Sequence, residues 1–162
     1  MTKMTQKHSK SSKITPFLSI FASFLTILAI FTLIGCSKSG ASEKDQMMAY
    51  AKSNNITYTE DPSGILYQII TPGTGAKPSL SNTITVTYVG QLMNGNQFDA
   101  GTITYPLSSL ITGWQKGLPL IGVGGEIKLL IPSTLGYGSA GAGSSIPGNA
   151  PLYFDVKLSA VK

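Results

Sequence analysis

The sequence predicts an α+β domain in which four or five antiparallel strands wrap a single short helix. Three observations predict it. Glycine and proline supply 18 and 9 of the 162 residues, a turn-rich composition that suits a sheet better than a helical bundle. Several segments alternate apolar and polar residues with the period of two expected of half-buried strands. One stretch of the body, residues 108–120, sets apolar residues at helical spacing.

Taken in chain order, residues 43–53 (EKDQMMAYAKS) collect helix formers and predict a short helix that Asn54-Asn55 stops. Asp61-Pro62-Ser63-Gly64 is a turn, since proline presets φ and glycine supplies the open conformation. Residues 65–70 are β-rich and bounded by Pro72-Gly73. Residues 83–89 place Ile84, Val86 and Tyr88 on one face and threonines on the other. Asn94-Gly95 signals a hairpin that leads into Gln97-Phe98-Asp99-Ala100. In residues 108–120 (SSLITGWQKGLPL), Leu110, Ile111, Trp114 and Leu118 fall on one helical face, with Ser108 or Ser109 as cap. Gly122-Val123-Gly124-Gly125 ends that pattern. Ile127, Leu129 and Ile131 then alternate, residues 136–151 form a glycine-rich loop, and Leu152, Phe154, Val156 and Leu158 share one face of a last strand.

Counting residues excludes several chemistries. The single histidine is His8 and the single cysteine is Cys36. An intrachain disulfide is impossible, and so is a His/Cys zinc site of ordinary ligand count. A Ser-His-Asp triad would need His8, in a leader. No arginine is present, so bidentate clamps on phosphate or carboxylate are absent too. The formal charge of +5 is concentrated at Lys3, Lys7, Lys10 and Lys13. From Cys36 onward eight lysines face seven acids, a balance that gives no electrostatic case for nucleic acid. Gly136-Tyr137-Gly138-Ser139-Ala140-Gly141 matches the dinucleotide fingerprint literally, but the next residues, AGSSIPGN, cannot form the helix that fingerprint needs.

The first 35 residues read as a leader. Residues 1–13 are polar and basic, residues 14–35 carry no charge, and Leu33-Ile34-Gly35-Cys36 closes the apolar run. That tetrapeptide resembles a bacterial lipobox, which implies a cut before Cys36 and acylation of its sulfur. Acyl chains would anchor the protein through burial of their methylenes. The apolar run is also long enough to span a bilayer uncut. Both readings place the body outside the cytoplasm. Ser37, where an aspartate would signal inner-membrane retention, favours the outer membrane. The chain thus divides into a leader (1–35), a lipidated cysteine with tether (36–60) and a folded body (61–162).

What remains is a set of aromatics with one acid: Tyr88, Phe98, Asp99, Tyr105, Trp114, Tyr137 and Phe154. Read singly, Trp114 and Phe154 are ordinary core, Asp99 a turn acid and Tyr137 a loop aromatic. Their order tells more. VTYVG, then QFDA, then SLITGWQKGLPLIGVGGEIKLLIPSTLGYG, then SIPGNAPLYFDVKL resembles the FKBP family of peptidyl-prolyl cis-trans isomerases over residues 62–162. The resemblance implies a half-wrapped antiparallel sheet of about five strands around the helix that carries Trp114. It implies a pocket with Trp114 as floor and Tyr88, Phe98, Leu110, Ile111, Tyr137 and Phe154 as walls, with Tyr105 as a further wall. It implies that Asp99 forms a polar rim, that the Tyr137 hydroxyl donates to substrate, and that the Ile146 backbone N–H binds a substrate carbonyl. The implied activity is prolyl isomerisation of extracytoplasmic proteins, without metal or cofactor. Proline-containing chains are the implied partners, and macrolides the implied inhibitors. The alternative is a non-catalytic binding or chaperone module of the same fold.

The sequence departs from the family pattern after Asp99. The loop from Asp99 to Tyr105 is shorter than usual, Ala100-Gly101 stands where two serines are common, and no basic partner for Asp99 is found there. Gly148 replaces the second proline of the family's IPPNA. Dimerising relatives carry a long helical N-terminal domain for which residues 37–60 are too few, so a monomer is expected.

Overall fold

Alternation along the strands sorts the side chains onto the two faces of one antiparallel sheet. The computed structural model describes residues 40–162, so the leader and Cys36 lie outside the described residues. Six strands appear in it: β1 (Thr59–Glu60), β2 (Leu66–Thr71), β3 (Thr83–Leu92), β4 (Gln97–Pro106), β5 (Glu126–Ile131) and β6 (Leu152–Val161). Their order across the sheet is β1-β2-β5-β6-β3-β4. The expectation of about five strands omitted the two-residue β1, too short to leave a periodic signature.

One face carries the main core. Ile84 and Val86 of β3, Ile127, Leu129 and Ile131 of β5, and Leu152, Phe154, Val156 and Leu158 of β6 are buried there with Trp114 and Leu118. These are the residues the period of two assigned to one face. The other face is covered by helix α1 (Glu43–Ser53), whose Met47, Tyr50 and Ala51 pack on Leu66, Leu130 and Tyr153. Ser42 and Asp45 close α1 with a reciprocal capping box. Asn54 then ends it, and Asn55 turns the chain at φ 54°.

Residues 108–120 depart from the single capped helix expected of them. A 3₁₀ turn (Leu107–Ser109) comes first, then helix α2 (Thr112–Gly117), then a second 3₁₀ turn (Leu118–Leu120). Leu110 (φ −93°, ψ 169°) and Ile111 (φ −58°, ψ 146°) are extended between them. Neither Ser108 nor Ser109 caps the helix, because Ile111 holds the cap position and no side chain bonds there. The Gln115 amide serves the break instead, donating to the carbonyl oxygens of Leu110 (2.7 Å) and Ser108 (3.2 Å).

A second departure concerns residues 99–105, expected as a shortened loop. They continue β4 without interruption, paired with β3 from Pro106 back to Gln97. Asn94-Gly95 makes the hairpin turn, with Gly95 at φ 85° and its N–H donating to the Leu92 carbonyl at 2.9 Å.

Candidate functional site

The β3–β4 hairpin delivers the first part of the site through an irregularity. Gly90 stands opposite Asp99 and Gln91 opposite Gln97, so Phe98 is an extra residue in β4. Such a bulge lets consecutive side chains reach the same side, and both Phe98 and Asp99 line one hollow. The Phe98 ring lies over Gly90. A Cβ there would come within 2.7 Å of it and within 2.9 Å of the Phe154 ring. The two rings meet edge-to-face with centroids 5.5 Å apart.

The floor comes from α2. Gly113 and Gly117, one turn apart, face β5, where added Cβ atoms would meet Ile131 at 2.5 Å and Leu129 at 2.6 Å. This close approach seats Trp114, 3% exposed, against the aromatic set. Its ring stands edge-to-face to Tyr88 and to Phe154, each at 5.2 Å between centroids. The indole Nε1–H is buried and finds no nitrogen or oxygen acceptor among the described residues. The extended pair Leu110-Ile111 turns both side chains into the same hollow.

The third part is the glycine-rich loop. Ser133 accepts the Gly136 and Gly138 N–H groups on its carbonyl (2.9 and 2.8 Å) just before Tyr137. Ser133 is itself held from α1: its N–H and its hydroxyl donate to the two Glu43 carboxylate oxygens, each at 2.6 Å. Tyr137 projects over the hollow and keeps 39% of its surface exposed.

One carboxylate polarises this apolar setting. The Tyr88 hydroxyl donates to Asp99 Oδ2 at 2.5 Å, and the Ala100 N–H donates to Oδ1 at 2.9 Å. Burial pushes the Tyr88 phenol up to about 12, helped by the bond to Asp99 and by its negative charge. Burial, then the Asp99 charge, raises Tyr137 as well. Both phenols therefore remain protonated donors across neutral pH.

Nine residues line the hollow, which is small, about 80 Å³: Tyr88, Phe98, Asp99, Ile103, Leu110, Ile111, Trp114, Tyr137 and Phe154. Eight of them are among the residues singled out by sequence. Two others are not gathered there. Tyr105 lies beyond the hollow near the end of β4, 55% exposed. Ile146 is a core residue, 6% exposed. Its N–H is already spent on the Ala142 carbonyl at 3.1 Å, in a small bridge inside the loop, which corrects its expected role as a free donor to substrate. Ile111, by contrast, lines the hollow, and its N–H meets no acceptor among the described residues. The sequence reading missed Ile103. Its signal was the alternation Thr102, Ile103, Thr104, Tyr105, hidden because the family resemblance implied a loop there.

A larger groove, about 460 Å³, lies on the other face of the sheet beside α1. Tyr50, Gln91, Lys128, Tyr153, Asp155 and Lys157 line it. It is wider but mixed in charge, and it lacks the convergence of rings on one carboxylate.

Comparison with known proteins supplies the family. Residues 75–159 match the family described as FKBP-type peptidyl-prolyl cis-trans isomerase. The chain is 42% identical over 124 residues to FkpA of Aeromonas hydrophila, covering 74% of this chain and 45% of that protein. It is likewise 42% identical over 106 residues to the outer membrane protein MIP of Legionella longbeachae, covering 62% of this chain and 46% of that one. The chain thus spans about half the length of the curated relatives it matches. The crystal structure of a peptidyl-prolyl cis-trans isomerase from Pseudomonas syringae superposes with a TM-score of 0.65 at 34% identity, over 74% of this chain and 93% of that one.

Proposed function

The chain belongs to the FKBP-type peptidyl-prolyl cis-trans isomerase family, and from that premise we propose that it accelerates Xaa-Pro bond rotation in polypeptides of the cell envelope. The single observation that carries the reading is the convergence of Tyr88, Phe98, Trp114, Tyr137 and Phe154 on one small hollow with Asp99 as its only charge.

The chemistry asked of such a site is modest in kind and large in barrier. Amide resonance opposes rotation by about 18–20 kcal/mol, and uncatalysed prolyl isomerisation takes tens to hundreds of seconds. No covalent bond is made or broken, so neither nucleophile nor general base is required. The planar amide is the more charge-separated form and the twisted amide the less polar one. An apolar enclosure over Trp114 therefore disfavours the ground state relative to the transition state. A fixed donor to a carbonyl flanking the turning bond keeps the chain oriented while that bond rotates. We assign that anchoring to the Ile111 N–H and the Tyr137 hydroxyl, in place of Ile146. Asp99 fixes the Tyr88 ring and sets a negative rim that favours polarised C–H and N–H groups of the bound chain.

The test is turnover of a chromogenic Xaa-Pro peptide by the full chain in mild detergent. Asp99→Leu and Tyr137→Phe are expected to lower kcat/KM by roughly ten- to a hundredfold, one to three kcal/mol of transition-state binding, in variants that keep the far-ultraviolet spectrum. Unchanged kcat/KM in both would remove these residues from the chemistry.

The envelope setting rests on the basic, uncharged, then Leu33-Ile34-Gly35-Cys36 order of the leader and agrees with the name of the Legionella relative. Cys36 is read as the lipid-bearing residue. Growth with radiolabelled palmitate should label the protein and leave Cys36→Ser unlabelled; equal label in both would refute the anchor.

A further inference from the structure

The two edges of the sheet are built differently. One ends in β1, two residues long, with Glu60 tied to Lys44 at 2.7 Å. That is a protected edge, short and charged. The other ends in β4, ten residues long, with no lysine and with Asp99 as its only acid. Between the Phe98 bulge and Pro106 no strand among the described residues covers it: Ala100, Gly101 and Thr102 are exposed, and a Cβ added to Gly101 would meet no atom within 4 Å.

The register tells which backbone groups face away from β3. Leu107 donates its N–H to the Asn82 carbonyl, one step beyond the Thr83–Pro106 pair. Inward and outward residues alternate along an antiparallel ladder. Tyr105, Ile103 and Gly101 therefore turn N–H and C=O toward β3, while Thr104 and Thr102 turn theirs outward. Ala100 agrees with this count, since its N–H leaves the ladder for the Asp99 carboxylate.

We propose that the outer edge of β4, through the main-chain groups of Thr102 and Thr104, binds an extended substrate chain as an added strand beside the pocket. The proposal rests on the isomerase reading and deepens it. The occupant follows from continuity: the same strand supplies Phe98, Asp99 and Ile103 to the hollow. A chain about 4.8 Å outside β4 lies alongside the place where its proline must enter. Edge pairing reads main chain and no side-chain sequence, as suits an enzyme whose substrates share only a prolyl bond. Proline itself cannot donate to the ladder, so its ring is left to the pocket while its neighbours pair. Tyr105, exposed on the pocket face of β4, then covers one of those neighbours.

The experiment compares an Xaa-Pro tetrapeptide with a peptide of about ten residues carrying the same central pair, using the full chain. Lengthening is expected to lower KM by about tenfold at unchanged kcat, the worth of one to two net hydrogen bonds. The double variant Thr102→Pro/Thr104→Pro removes two outward donors and leaves the bonds to β3 intact. It should keep tetrapeptide turnover and lose the gain from length; Thr104→Val, which keeps the backbone donor, should retain it. A second arm leaves the protein untouched. N-methylation of alternate residues in the long peptide should weaken binding, read by fluorescence anisotropy, in one register only. Equal KM for short and long peptides, a variant that keeps the gain, or equal tolerance of both methylation registers overturns the proposal. So does a dimer, seen by analytical ultracentrifugation, that the double variant dissociates with no effect on peptides, since the edge then belongs to a second copy. Because anisotropy needs no turnover, an inactive but peptide-binding protein would sink the isomerase reading and still decide this one.

Discussion

Gly90 shows how much one missing methyl group does. The rings of Phe98 and Phe154 occupy the space a Cβ would take, so Gly90→Ala must push one ring toward the hollow. Overpacking of this kind costs about 1–3 kcal/mol. Thermal unfolding should show that loss, and kcat/KM should fall with it; a variant of native stability would mean the rings adjust freely. The phenols give a second expectation at this scale. With Tyr88 pushed up to about 12 and Tyr137 raised, neither loses its proton near neutrality. Peptide turnover should therefore show no alkaline decline between about pH 7 and 9, and a limb inside that range would contradict their role as donors. Most of these residues were legible in the sequence because aromatic type and order survive in one dimension. The Ile146 N–H was not, because whether a donor is free depends on where the Ala142 carbonyl lies.

Helix α1 is the clearest case of an element whose existence was legible and whose work was not. Its formers and its Asn54-Asn55 stop mark out residues 43–53. Its docking on Leu66, Leu130 and Tyr153, and the Glu43–Ser133 bonds, join residues 90 positions apart. Glu43→Ala leaves the buried Ser133 N–H without its acceptor, which costs about 1–3 kcal/mol. Urea unfolding should show a lower midpoint at unchanged slope, and an unchanged midpoint would mean that the helix does not brace the Tyr137 loop. Elsewhere local signals misled. Helical spacing in residues 108–120 was real, but the extended pair Leu110-Ile111 interrupts the helix to serve the pocket. The family resemblance implied a loop after Asp99, and register with β3 made residues 99–105 strand. In both places tertiary pairing outweighed local preference.

At the scale of the whole molecule the sheet keeps an apolar, aromatic face and a polar groove on the other. Asp155 sits in that groove, and burial raises its carboxyl against the opposing influence of Lys128. The folded protein thus binds this proton more tightly than the unfolded chain does. Its stabilising contribution is full below the unfolded value near 4 and is lost as pH rises through the raised folded value. Asp155→Asn should accordingly raise the melting temperature at neutral pH, with the gain shrinking as pH falls toward 4; a gain that grew in acid would reverse the sign of the burial argument. The other face carries the central claim, that an aromatic hollow without histidine, arginine or metal turns prolyl bonds. Exchange NMR of an Xaa-Pro peptide, with the full chain present far below the peptide concentration, tests it most directly. Cross-peaks linking the cis and trans signals should appear within a mixing time under a second and weaken at least tenfold in Asp99→Leu, whereas uncatalysed exchange takes at least tens of seconds. Cis and trans signals that stay unlinked at every protein concentration, with the protein folded, would contradict the claim.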